Sequence, residues 1–418
     1  MIERYIISDI IDSLRYFPAV LLNGARQVGK STLVQLLQDK GMIDNYVTLD
    51  DMNTLKSATE DPDGFIQQFE GSVAIDEVQR VPDLLTAIKK AIDQNRKPGR
   101  FILTGSAHVL SYPGVTESLA GRVHILSLEG LSLGEILSAP TPSSFIEDLF
   151  SNQDSTSIVH KWNAKLKHTP TVTKNRLLER MFFGGYPEVA INEKITFRNK
   201  WFSAYEASYI ERDVRNLSQL LDIVSFSKLY KLLGFQTANL VNYSDISHQT
   251  QLDSKTVSRY MEMLEITFQL RLLRPWFPNP HKQYVKSPKI YINDSGQACY
   301  LSNISDPDHL SKYHSIGAIF ETWVLAELRK LIALSHGIDT YFYRTYQGEE
   351  VDFLLMRGPT VCGIECKWAS SITKDDCKSL SKMIEDFGGN ARGIVLFTGQ
   401  NIVPFSEKLI GVPIRLLL

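Results

Sequence analysis

The sequence predicts an α/β protein in three parts: a parallel sheet over roughly the first 140 residues, a helical middle, and a second α/β domain toward the end of the chain. Three observations predict it. Five short apolar runs, AVLLNG (19–24), NYVTLD (45–50), SVAIDE (72–77), RFILTGS (100–106) and VHILSL (123–128), alternate with helical patterns such as VPDLLTAIKKAIDQ (81–94). The pattern weakens between 130 and 175, where SAPTPSS (138–144) and SNQDSTS (151–157) carry loop chemistry. Alternation of helix and strand then returns over 290–418.

The first strand ends in Gly24-Ala25-Arg26-Gln27-Val28-Gly29-Lys30-Ser31, followed by Thr32 and an apolar helical pattern. Two glycines at this spacing permit a tight loop whose backbone N–H groups converge on a phosphate. Lys30 places a positive charge by the β- and γ-phosphates, and the Ser31 hydroxyl is a magnesium ligand. The helix beginning here points its N-terminus at the anion. The expected cofactors are therefore ATP and Mg2+.

Forty-five residues after Ser31, the run Val73-Ala-Ile-Asp76-Glu77 ends an apolar strand in two carboxylates. Asp76 suits the magnesium shell, and Glu77 suits polarisation of an attacking water. The next strand ends in Thr104-Gly105-Ser106. Thr104 and Ser106 are polar groups that either contact the γ-phosphate region or simply close a strand-ending turn.

The middle begins with a helical stretch rich in aromatics (174–217). Further on, Ser244–Leu252 and Asp253–Leu264 read as helix, turn, helix, with Ser244 and Asp253 as N-caps. Val257, Tyr260, Met261 and Leu264 make one apolar face, and Lys255, Thr256, Ser258 and Arg259 lie opposite. ITFQLRLLRPW behind them alternates as a strand pair would, which completes a winged-helix pattern. From Lys255 to Lys289 there are seven Lys and Arg against two Glu, a local basic patch suited to phosphate contacts with DNA. The same module also serves as a protein contact, and both readings stay open.

Near the end, Asp352 in GEEVDFLL and Glu365-Cys366-Lys367 in VCGIECKW lie on two strand-like runs. Alternation puts Glu365 and Lys367 on one face. Asp352 and Glu365 from a hairpin are candidates to share a magnesium ion, with Glu321 in helical GAIFETWVLAEL reaching the same metal. Lys367 is then a candidate to orient or deprotonate a water that attacks a phosphodiester. The alternative is a retained fold with surface acids and no turnover. Cys362 and Cys366 stand too far apart along a strand to pair.

Composition bounds these readings. Hydrophobic residues make up 43% and charged residues 22% of 418, the balance of a folded globular chain with several cores. Lys plus Arg (45) nearly cancels Asp plus Glu (47), so net charge names no partner. No apolar run is long enough for a membrane span, and the four cysteines form no zinc pattern, which makes a cytoplasmic setting the expectation.

LLNGARQVGKSTL, VAIDEVQ, ILTGS, SLAGR, FFGGYPE, YIERDV and the C-terminal carboxylates together resemble a group of prokaryotic AAA-type (additional-strand, catalytic-glutamate) ATPases. In that group the ATPase module is joined to a C-terminal domain of the PD-(D/E)xK nuclease superfamily. The resemblance implies an AAA-type P-loop ATPase domain at 1–140, a helical lid or linker region at 141–220, a winged helix at 221–280 and a restriction-endonuclease-like α/β domain at 281–418. It implies Arg122 of SLAGR as an arginine finger in a homo-oligomer; a surface salt bridge is the other reading of that residue. It implies an ATP-driven switch or motor on DNA, with metal-dependent cleavage through Asp352, Glu365 and Lys367. An ATP-regulated scaffold without nuclease turnover is the rival. The proline that commonly precedes the family's aspartate is replaced by Val351.

Overall fold

The computed structural model describes residues 2–106, 121–141, 143–151, 153–209, 214, 222–279, 286–345 and 347–418. These divide into two compact units: Arg4–Gly130 with Met263–Gln269, and Leu131–Glu262 with Leu270–Leu418.

The first unit is built on a five-stranded sheet of β1 (Ala19–Asn23), β2 (Asn45–Thr48), β3 (Val73–Asp76), β4 (Phe101–Gly105) and β5 (Val123–Ser127), in the order β2-β3-β4-β1-β5. Every neighbouring pair is parallel. The central strands β1, β3 and β4 are buried along their whole length, which is why they read as unbroken apolar runs rather than alternating ones. Helix Asp83–Gln94 packs Leu84, Leu85, Ile88 and Ile92 into the core beside Leu21, Ile75 and Leu103. The decisive feature for function is that β4 lies between β1 and β3, so three strand ends open side by side.

The second unit holds the helical middle and a six-stranded mixed sheet. That sheet comprises β8 (Asp339–Arg344), β9 (Glu350–Arg357), β10 (Thr360–Lys367), β11 (Ala391–Phe397), β12 (Val403–Ser406) and β13 (Leu409–Pro413), in the order β12-β13-β11-β10-β9-β8. β10 pairs antiparallel with β9 and parallel with β11. Helix Lys378–Phe387 covers one face, burying Leu380 and Met383. The helix Ser143–Phe150 and the loop after it are tied to the sheet: Glu147 pairs with Arg357 at 2.7 Å, and Arg392 donates to the carbonyls of Asp148 (3.2 Å) and Ser151 (2.9 Å).

The helix pair of the middle spans Tyr243–Thr250 and Ser254–Ile266. Val257, Tyr260, Met261 and Leu264 are buried, whereas Lys255, Ser258 and Arg259 are exposed. Asp253 caps the second helix through the Thr256 N–H at 3.0 Å. The first is capped by Asn242, whose side chain accepts from the Asp245 N–H, and not by Ser244. The expected strand pair within ITFQLRLLRPW is corrected too: β6 (Leu270–Leu273) pairs with β7 (Lys289–Ile292), beyond the proline-rich segment. The helical period simply continues through Ile266, leaving room for one strand there.

FFGGYPE has a structural explanation. Gly184 sits at φ 74°, where a β-carbon would lie 2.1 Å from Asp294 Oδ1. Asp294 accepts the Gly185 N–H at 2.6 Å and caps helix Ser295–Leu301 through the Gln297 N–H at 2.9 Å. The buried Arg198 guanidinium donates to the carbonyls of Phe182 (2.9 Å) and Gly296 (2.8 Å) and stacks on the Phe182 ring. Two segments far apart in sequence are thus clasped around one turn. Of YIERDV, residues 210–213 lie outside the described residues.

Candidate functional site

The loop 24–29 leaves β1 and leads directly into helix Lys30–Asp39, whose N-cap Gly29 has φ 97° and whose first turn holds no acidic residue. Among the described residues no side chain caps that N-terminus, so its polarity favours an anion. Gly24 is fixed by packing as well as conformation: a β-carbon there would stand 2.2 Å from the Leu128 carbonyl oxygen. Ala25 and Val28 are buried, Arg26 is half-buried, and Gln27 and Thr32 are exposed. Lys30 is 4% exposed and its ammonium donates back to the carbonyls of Gly24 (2.9 Å) and Ala25 (2.8 Å).

Asp76, at the end of β3, gathers hydroxyls from four directions. Ser31 Oγ donates to it at 2.8 Å and the Tyr46 hydroxyl at 3.1 Å; Thr48 approaches at 3.5 Å, and Thr104 donates from β4. Burial, reinforced by the adjacent Asp76 carboxylate, pushes the Tyr46 phenol up to about 12. Thr104 also accepts the Glu77 N–H at 3.0 Å, so one hydroxyl links the two carboxylate residues. Glu77 has φ 60°, a left-handed conformation uncommon for glutamate and the kind of strain that clusters at working sites. Its Oε2 accepts from Ser106 Oγ at 3.0 Å and from Gln79 Nε2, which itself donates to Ser106 Oγ at 2.9 Å.

The fold therefore gathers Lys30, Ser31, Asp76, Glu77, Thr104 and Ser106 at the carboxyl ends of β1, β3 and β4. A hydroxyl and a carboxylate already 2.8 Å apart are hard oxygen donors of the type that hold magnesium, so the residues fit that ion.

Three contributors are not apparent from sequence motifs. Arg4, 8% exposed, donates to the Val28 carbonyl inside the loop (2.9 Å) and to those of Glu129 (2.6 Å) and Gly130 (3.3 Å). Tyr46 and Gln79 buttress the two carboxylates. Only Gln79, two positions past Glu77, carries a usable signal in its spacing.

Arg122 forms a fork with Asp93, at 2.7 Å and 3.0 Å, the salt bridge named as the alternative for this residue. Residues 118–120 of SLAGR lie outside the described residues.

In the second unit, Asp352 on β9 and Glu365 and Lys367 on β10 come together, with Glu321 approaching from helix Ile316–Ile332. Asp352 Oδ2 accepts the Cys366 N–H at 2.8 Å, and Lys367 Nζ lies 2.9 Å from Glu365 Oε1. Burial and the neighbouring Asp352 raise both Glu321 and Glu365 above the usual carboxylate range. Burial alone would lower Lys367, but Glu365, Asp352 and Asp376 together outweigh it and raise the ammonium above its ordinary value. The expectation of a metal on Glu321, Asp352 and Glu365 meets an obstacle. Lys289, at the start of β7, puts its ammonium 2.9 Å from Glu321, 2.6 Å from Glu350 and 3.5 Å from Asp352. As arranged, the set does not fit a divalent ion, and no group of three or more His, Cys, Asp or Glu suited to a metal occurs among the described residues. Lys289 also leaves the basic patch to which its sequence position assigned it.

Comparison with known proteins follows the same division. Residues 16–137 match the family model described as AAA domain; 174–308 and 316–417 match two models described as domains of unknown function, DUF8612 and DUF4143. The uncharacterized proteins Rv2008c of Mycobacterium tuberculosis and Mb2031c of Mycobacterium bovis are each 28% identical over 402 residues, 96% of this chain and 81% of theirs. Among solved structures, a RuvB variant of Thermotoga maritima aligns over 65% of this chain and 89% of its own, at 18% identity and a TM-score of 0.30, too low to carry an argument. The matched segment coincides with the five-stranded parallel sheet and its phosphate loop, so the N-terminal part of the chain is similar to AAA domains. Among the described residues, no helix is long and apolar enough to cross a membrane.

Proposed function

We propose that this protein binds ATP with magnesium at residues 24–32 and hydrolyses it, using the cycle as a switch on a DNA partner. The observation that carries the reading is the convergence of Lys30, Ser31, Asp76 and Glu77 on one sheet edge, joined through Thr104. The loop N–H groups and the helix N-terminus receive the β-phosphate. Lys30 exchanges its two loop carbonyls for β- and γ-phosphate oxygens. Ser31 and Asp76 hold the magnesium, which when bound supplies neutralising charge. Glu77, held by Ser106 and Gln79, aligns the attacking water.

The test uses two variants. Lys30→Ala abolishes nucleotide binding, whereas Glu77→Gln keeps ATP bound and stops phosphate release. Equal phosphate-release rates in wild type and Glu77→Gln would overturn the role given to Glu77.

DNA as partner is supported by the exposed Lys255 and Arg259 on the second helix of the middle pair. Replacing both with alanine weakens binding and flattens its dependence on log salt by about two counterions. No binding in fluorescence anisotropy at low salt would make the helix pair a protein contact. Homo-oligomer formation through Arg122 requires it to leave Asp93 and is not needed by this reading. Metal-dependent cleavage by the C-terminal domain is no part of this function, because Lys289 stands among its carboxylates.

A further inference from the structure

Lys289 is 3% exposed, and its backbone is fixed on both sides. It begins β7, pairing with β6, and the adjoining Pro288 carbonyl and Ile290 N–H bond to Val241 and Asn239 at 2.8 Å and 2.9 Å. Its ammonium has three N–H donors, and three carboxylates from two elements stand around it: Glu321 on the helix, and Glu350 and Asp352 on β9. Opposite, Glu365 gives one oxygen to Lys367, while its buried Oε2 has no hydrogen-bond partner among the described residues. A divalent ion would claim the same carboxylate oxygens at about 2.0–2.6 Å, and an ammonium and a metal cannot both hold them. The lysine is part of the chain, so it competes with a free ion at a high effective concentration.

We propose that Lys289 is the resident cation of this cluster, standing where a divalent metal would otherwise bind. The C-terminal domain then takes up metal only when the Lys289 side chain is withdrawn. The inference rests on the second unit alone and is independent of the ATPase reading.

The experiment titrates Mn2+ into the nucleotide-free full-length protein and follows free ion by electron paramagnetic resonance. Four chains are compared: wild type, Asp352→Asn, Lys289→Met, and Lys289→Met with Asp352→Asn. Comparison with Asp352→Asn separates this cluster from any binding at Ser31 and Asp76. Wild type and Asp352→Asn are expected to bind alike. Lys289→Met is expected to gain a site at least about tenfold tighter than any Asp352-dependent binding in wild type, and the double variant to lose it. Wild-type binding that disappears with Asp352→Asn would overturn the proposal, as would a folded Lys289→Met that gains no site. If circular dichroism shows that Lys289→Met does not fold, the wild-type and Asp352→Asn pair decides the matter by itself.

Discussion

Arg4→Met removes a guanidinium and keeps most of its apolar stem. In the folded unit that guanidinium bridges the crest of the phosphate loop, at the Val28 carbonyl, to the chain leaving β5, at Glu129 and Gly130. Hydrogen bonds from a charged donor contribute about 1.5–3 kcal/mol each. The Val28 bond is buried, while those to Glu129 and Gly130 are partly buried, so water recovers part of their loss. The expected destabilisation is about 2–4 kcal/mol. The loop also loses its tether and must be ordered when nucleotide arrives, which weakens ATP binding by roughly 1–1.5 kcal/mol, about tenfold in Kd. Urea unfolding followed by circular dichroism and titration with a fluorescent ATP analogue measure the two effects. Arg15→Met is the control, since Arg15 is exposed and lies 3.8 Å from Asp12. An Arg4→Met protein with the wild-type unfolding midpoint and a Kd within about twofold of wild type would refute the clamp.

Other expectations follow from single contacts. Gly24→Ala puts a β-carbon 2.2 Å from a backbone oxygen that cannot swing aside, so nucleotide binding is lost in the same titration while helix content is retained. Asp294→Ala leaves the Gly185 and Gln297 N–H groups without their acceptor and lowers stability by about 2–4 kcal/mol, read by thermal unfolding; Asp294→Asn recovers part of this. Burial pushes the Lys165 ammonium down to about 8, below its unfolded value, so the unfolded chain binds more protons between that pH and about 10.5. Stability relative to Lys165→Met therefore rises with pH across that window, by about 1–2 kcal/mol after allowance for solvent screening; a flat difference in urea unfolding from pH 7 to 10 would refute it.

The phosphate loop was legible because its chemistry is written contiguously, in the backbone freedom of Gly24 and Gly29 and in the Lys30-Ser31 pair. The three central strands of the parallel sheet were legible because strands buried on both faces are uninterrupted apolar runs. Arg4 was not, since one arginine near a charged N-terminus carries no trace of carbonyls more than 120 residues away. Lys289 was misplaced for a related reason. Counting charge along 255–289 treats every lysine as solvated, and this one turns inward toward Glu321 and Glu350. Strand β6 found its partner across a proline-rich segment, which periodicity does not register. Tyr46 stands at a position where an ordinary strand residue would serve the pattern equally well, whereas Gln79 is marked by its spacing from Glu77.

The clasp at Asp294 also sets how the second unit can be made and cut. It joins Gly185 to a residue 109 positions later, so the turn at FFGGYPE cannot close until both segments have left the ribosome. Contacts of such separation form late and slowly, because the intervening chain must be ordered first. A fragment ending near residue 280 would carry that turn with its acceptor missing, and one beginning there would carry Asp294 with nothing to cap on that side. Proteolysis between the two segments would nick the chain without releasing either piece, and refolding of isolated halves would be expected to stall unless both are mixed.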